Sequence, residues 1–287
     1  MTLQLGPRKF SDSELVLMAV INRTPDSFYD GGATYRLDDA STAVSRAVAE
    51  GADIVDVGGV KAAPGVDISL DEEMRRVLPL ISLIHRRHPR LVISIDTWRA
   101  EVARAALAAG AHVINDAWGG FDPEVAEVAA DQRAGLICTH TGGIVPRTVV
   151  RRPRYSDVVS DVRAVLTNLA ERAIQLGVAR ESIVVDPGHD FAKNTRHSLE
   201  VTRRLDELVS DSLPVLVSVS NKDFIGESLD LPVSERIEGT MATLTVCAWL
   251  GARVFRVHNV QQSRRTLDMV ATIMGRRPPT VARRALA

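Results

Sequence analysis

Five polar residues close short apolar runs or follow just behind them: Asp56, Asp96, Asn115, Asp186 and Lys222. Carboxylates accept paired N–H bonds, while an amide and an ammonium can meet ring nitrogens and carbonyls. Gathered in one place, the five suit a flat heterocycle with an amidine-like edge. Each one taken singly reads equally well as a strand-end cap bonded to loop backbone. The recurrence of the pattern favours a site. Asn22, Arg256 and His258 end two further runs and form a second group suited to an anion. Ser263 is expected to open the last helix, whose free N–H groups would favour the same charge.

These residues need a frame that brings eight chain segments to one rim. The apolar runs are Leu15–Ile21, Ile54–Val55, Leu91–Ile95, Val113–Ile114, Leu136–Cys138, Ile183–Val185, Val215–Val219 and Val254–Val257. Buried parallel strands read as continuous apolar runs of this kind. Between them lie segments of helical periodicity such as Asp39–Glu50, Leu70–His88, Asp157–Leu176 and His197–Val209, often followed by glycine. Eight alternations predict an α/β fold, a single (β/α)8 TIM barrel over residues 1–275, with chemistry at the C-terminal ends of the strands. Strands one and eight are then neighbours, which places Asn22 beside Arg256 and His258. Residues 276–287 read as a disordered tail. No Gly-x-Gly-x-x-Gly or phosphate-loop pattern follows any strand, which counts against a dinucleotide fold.

Composition narrows the partners. A net charge of −1 and 4% aromatic residues give no support for nucleic-acid binding. No run approaches the roughly 20 apolar residues of a membrane span, so a cytoplasmic protein is expected. Cys138 and Cys247 fall in core segments and have no metal spacing. Arginines number 31 against four lysines (Lys9, Lys61, Lys193, Lys222), and three of those lysines follow predicted strands.

Longer motifs carry a resemblance. The stretches AVINRTPDSFYDGG (19–32), EGADIVDVGG (50–59), ISIDTW (93–98), ARAALAAGAHVIND (103–116), SNKDFIG (220–226) and GARVFRVHNV (251–260) resemble dihydropteroate synthase. That family joins a pterin methyl diphosphate to p-aminobenzoate. The resemblance implies pterin contacts at Asp96, Asn115, Asp186 and Lys222, with Lys222, Arg256 and Asp96 as the residual catalytic set. It implies diphosphate contacts at Asn22, Arg256 and His258, Mg²⁺ at Asn22, and a p-aminobenzoate side formed by Phe191, Ser220 and Pro64. It further implies a homodimer through the last helices, with Ala242, Leu244, Val246, Trp249 and Met269 as candidate face residues. The loop Asn22–Gly32, with its Phe28-Tyr29 pair, is expected to act as a covering flap.

The chain departs from the family after Gly58-Gly59. Where the family carries Glu-Ser-Thr-Arg-Pro-Gly, this sequence reads Val60-Lys61-Ala62-Ala63-Pro64-Gly65. A bidentate arginine clamp is lost, and a lysine supplies only a point charge. Arg23, His189-Asp190, Asn221, Ser218 and Thr141 also depart, mainly on the amine and phosphate side. The expected protein retains a pterin pocket but has lost or severely impaired condensation. The alternatives are a working synthase in which Arg23, Lys61 or Lys193 compensates, and a pterin fold turned to another transfer, binding or assembly role.

Overall fold

The computed structural model describes residues 2–24, 32, 34–61, 64–148 and 154–284. The chain opens with a hairpin that periodicity is too short to reveal, β1 (Leu3–Leu5) and β2 (Arg8–Phe10). Its turn needs Gly6, where φ is +50° and a Cβ would lie 2.5 Å from the His112 ring. Strand and helix then alternate through β3 (Val16–Asn22), α1 (Leu37–Ala49), β4 (Ile54–Gly58), α2 (Leu70–Arg87), β5 (Val92–Asp96) and α3 (Ala100–Ala108). They continue through β6 (Val113–Asp116), α4 (Glu124–Asp131), β7 (Gly135–Thr139), α5 (Val158–Leu176) and β8 (Ile183–Asp186). The last part holds α6 (Thr195–Arg203), α7 (Leu205–Val209), β9 (Leu216–Val217), α8 (Asp223–Leu229), α9 (Ile237–Trp249), β10 (Val254–Val257) and α10 (Val260–Ile273).

Strands β3 to β10 form one parallel sheet in the order β8-β7-β6-β5-β4-β3-β10-β9. A bridge between Val185 and Val215 joins its two edges, so the expected TIM barrel is present. Inward side chains fill the barrel: Val16, Met18, Ile54, Val92, Val113, Ile137, Val184, Leu216 and Val254 pack with Leu3, Leu5 and Phe10 of the hairpin. The hairpin therefore plugs the end opposite the site. Each such large apolar side chain contributes about 1.5–3 kcal/mol on burial.

Register sets the rim. Asn22 pairs with Gly58, Gly58 with Asp96, and Asp96 with Asn115. Four adjacent strands thus end at one level and present their terminal residues side by side.

Four expectations change. The seventh barrel strand, expected over Val215–Val219, is only Leu216–Val217, because the chain leaves the ladder at Ser218 and turns at Ser220 and Asn221. The helix expected over 197–209 breaks at Arg204, which turns to bond Asp157 and Glu207. The last helix starts at Val260, so Ser263 lies inside its first turn, fully buried, and does not open it. Leu244 is fully buried in the shell, whereas Val246, Trp249 and Met269 are exposed, so Leu244 leaves the candidate dimer face. Beyond α10, Arg276 N bonds Ala271 O and Arg277 reaches Asp268 at 2.6 Å. Among the described residues no helix is long and apolar enough to cross a membrane.

Candidate functional site

A cavity of about 540 Å³ opens at the C-terminal ends of the strands. Asn22, Val60, Lys61, Pro64, Asp96, Phe191, Lys222, Arg256 and His258 line it, all nominated from sequence. Asn115, Asp186, Asp56 and Ser220 are buried and do not line it. Ala62, Ala63 and the Phe28-Tyr29 flap lie outside the described residues.

The floor is organised by Arg256. Its Nε donates to Asp56 Oδ2 at 2.7 Å and its Nη2 to Asp96 Oδ2 at 2.8 Å. Asn115 Nδ2 donates to the same Asp56 oxygen at 3.0 Å. Asp56 and Asn115 therefore shape the floor from below by fixing Arg256 and Asp96. Burial raises the Asp96 pKa to about 7, with Arg256 opposing and Asp56 adding to the rise. Burial opposes a charge on Arg256, yet Asp56 and Asp96 hold it protonated. Asp186 is raised by burial and held back by Lys222 and by Gly188 N, which donates at 2.7 Å. Lys222 is lowered by burial despite Asp190 and Asp186. It donates to His189 O and stands 5.0 Å over the Phe191 ring.

At the anion corner, Ser220 turns away from the cavity to meet His258, with its Oγ 3.1 Å from Nδ1 and 3.2 Å from the backbone N. Of the three cations offered as replacements for the lost arginine, only Lys61 lines the cavity. Lys193 lies 2.7 Å from His140 Nδ1 and donates to Gly188 O and Phe191 O at 3.1 Å each. It fastens the loop after β8, and burial lowers its pKa to about 7. Arg23 is buried beside Arg76 and Tyr35, and its Nε and Nη1 have no hydrogen-bond partner.

Two features escaped the sequence reading. The first is an aromatic wall: Trp98 meets Trp118 edge-on at 5.8 Å, and Trp118 meets Phe191 at 5.7 Å. Val60 and Ile144 pack against it. The missed signal was position, since two of the three tryptophans stand two residues beyond the ends of β5 and β6.

The second is the way the loop after β4 is held. Arg76 donates to Gly59 O at 2.9 Å and Arg99 to Ile68 O at 2.7 Å. Arg147 reaches across from the loop after β7 to Lys61 O at 2.6 Å and Val66 O at 2.7 Å. Gly59 permits the close approach of α2, because a Cβ there would lie 2.9 Å from Val77. Three arginines thus hold backbone carbonyls of a loop that has lost its own functional side chains. Arg147→Ala should raise amide exchange over residues 60–66 by about tenfold while leaving the barrel's melting temperature nearly unchanged. Unaltered exchange, measured by mass spectrometry, would refute the clasp.

A model described as pterin binding enzyme matches residues 18–258. The chain belongs to the dihydropteroate synthase family. Over its full length it is 52% identical to the protein named inactive dihydropteroate synthase 2 of Mycobacterium leprae, also covered in full. It is 36% identical to the dihydropteroate synthase of Escherichia coli, over 88% of this chain and 90% of that one. The Yersinia pestis dihydropteroate synthase, solved with a sulfonamide drug complex, superposes with a TM-score of 0.91 at 31% identity, covering 96% of this chain and 100% of that one. The barrel is therefore that of the dihydropteroate synthase family.

Proposed function

We propose that this protein holds a pterin-type ligand at the Asp96–Arg256–Lys222 floor and has lost, or nearly lost, condensation of a dihydropterin methyl diphosphate with p-aminobenzoate. The observation that carries the reading is the single point-charge cation, Lys61, facing the cavity where the family has an arginine clamp. The engagement of Lys193 with His140 and the burial of Arg23 away from the cavity speak against a compensated synthase. The inactive relative from Mycobacterium leprae supports the same reading.

In this proposal Asp96 and Lys222 meet the pterin, and Asn115 and Asp186 support that floor from beneath. Asn22, Arg256 and His258 serve the diphosphate, and Phe191 and Pro64 flank the second ligand. Among the described residues no three His, Cys, Asp or Glu side chains gather to hold a metal. Asn22 offers one neutral oxygen, which fits Mg²⁺ only as a cation shared with a bound diphosphate, since that ion keeps several waters and takes few protein ligands. The proposal includes a cytoplasmic homodimer through α9 and α10, where Val246, Trp249, Met269 and Ile273 lie exposed.

Calorimetry with a pterin diphosphate should give a saturable signal that Asp186→Ala weakens about 10-fold or more, from loss of the buried carboxylate that balances Lys222. Identical titrations for both proteins would defeat the pterin floor. Steady-state turnover with p-aminobenzoate should be near background, and a rate comparable to an ordinary synthase would defeat the claim of lost condensation.

A further inference from the structure

Among the described residues, Arg23 is a cation that no carboxylate balances. Asn22 and Thr24 line the cavity and Arg23 between them does not, so its side chain leaves the barrel mouth and turns toward α2. The residue is 8% exposed. Its backbone N donates to Gly58 O at 2.7 Å, yet its Nε and Nη1 are inaccessible and meet no acceptor. A guanidinium keeps its charge at any ordinary pH, and a buried charge without a partner is costly. Neither the pterin nor the diphosphate assignment uses it.

Its neighbours add to the positive charge. Arg76 of α2 spends Nε on Glu72 at 2.7 Å and Nη1 on Gly59 O at 2.9 Å, which leaves its Nη2 uncommitted among the described residues. Arg75 pairs with the same Glu72 carboxylate. Glu73, the next acid along α2, is taken by Thr97 Oγ1 at 2.7 Å and Arg99 Nη1 at 2.8 Å. Tyr35 stands among the three arginines, with its ring 5.8 Å from the Arg76 guanidinium. Among the described residues, three guanidiniums thus share one carboxylate. The two that flank Gly58-Gly59, Arg23 and Arg76, keep N–H donors to spare.

We propose that Arg23 and Arg76 form a binding site for a small oxyanion of the phosphate class, set behind the rim between the end of β3 and α2. The forked donors of a guanidinium match such an anion bidentately. Three cations against the single charge of Glu72 leave an excess that a phosphate dianion balances and a monocarboxylate does not. A phosphate there would tie the chain after β3 to α2 across Gly58-Gly59, just before the loop that has lost its side chains. The site lies outside the cavity, so it stands or falls apart from the pterin reading.

The test measures urea midpoints of the full chain and of Arg23→Met at constant ionic strength, in chloride buffer and with added inorganic phosphate. Without phosphate, Arg23→Met should be at least as stable as wild type, because it removes an unbalanced buried charge. Phosphate should raise the wild-type midpoint and raise that of Arg23→Met much less. The corner formed by Asn22, Arg256 and His258 is the same in both proteins, so its own affinity for phosphate cancels in the difference. Phosphorus NMR titration should show the affinity at this site weakened about tenfold or more in Arg23→Met. Arg23→Lys should keep part of it, since it holds the charge without the fork, and it carries the comparison if Arg23→Met does not fold. Phenyl phosphate separates the two sources of the anion. An equal differential shift means that the site accepts a phosphate borne by a larger ligand, and no shift means that it takes the free ion; both uphold the site. An equal response to inorganic phosphate in wild type and variant, or no response in either, overturns the proposal.

Discussion

Arg256→Ala should lower the folding free energy by about 3–5 kcal/mol, measured as a shift in the urea midpoint at constant m-value. The residue supplies the guanidinium that meets both Asp56 and Asp96. Asp56 is fully inaccessible, and its other oxygen has no partner at all. Without Arg256, only Asn115 Nδ2 remains to satisfy Asp56. A buried carboxylate then faces a second one across the floor, which is the most expensive arrangement a barrel mouth can hold. The double variant Arg256→Ala/Asp56→Asn should recover part of the loss, because it removes the orphaned charge along with its partner. Loss below about 1 kcal/mol in the single variant would show that water reaches the pair and that the network does not shape the floor.

Replacing residues 60–63 by Glu-Ser-Thr-Arg should raise condensation from background by a factor on the order of 10²–10³. That range corresponds to recovering about 2–4 kcal/mol of charge stabilisation on the departing diphosphate. The structure favours the graft. Gly58, Gly59, Pro64 and Gly65 are retained, and α2 already packs against Gly59. The clasps from Arg76, Arg99 and Arg147 take backbone carbonyls, so they tolerate new side chains. Single-turnover measurement with saturating p-aminobenzoate checks the result. A grafted protein that binds the diphosphate yet stays silent would move the lesion from the loop to the departures at Arg23, His189 and Asn221.

Local sequence carried the fold because each strand declares itself. A buried parallel strand has no solvent face, so β3 and β8 read as uninterrupted apolar runs ending in Asn22 and Asp186, and β5 is broken only by Ser94 before Asp96. The elements that failed to declare themselves are short or irregular. The β1–β2 hairpin has three residues per strand, less than one period of any pattern, although it supplies the plug of the barrel. The strand ending at Val217 looked longer because Ser218–Ser220 continue an alternation that serves the site rather than the ladder.

By itself the sequence determined which residues crowd one rim, because strand-end positions in this fold are fixed by apolar length and register. It also marked where this chain departs from the pattern it resembles, since residues 60–63 can be read without coordinates. Only the tertiary structure decided which polar groups face the ligand. Asp56, Asn115, Ser220 and Lys193 have the same kinds of side chain as the lining residues, but Asn115, Ser220 and Lys193 are bonded to other parts of the protein and Asp56 is sealed beneath Arg256. Arg256 reaches Asp56 across 200 residues, and Lys193 reaches His140 across 53. A hydrogen bond satisfied inside the protein is unavailable to a ligand, and that accounting depends on distances that no spacing along the chain encodes.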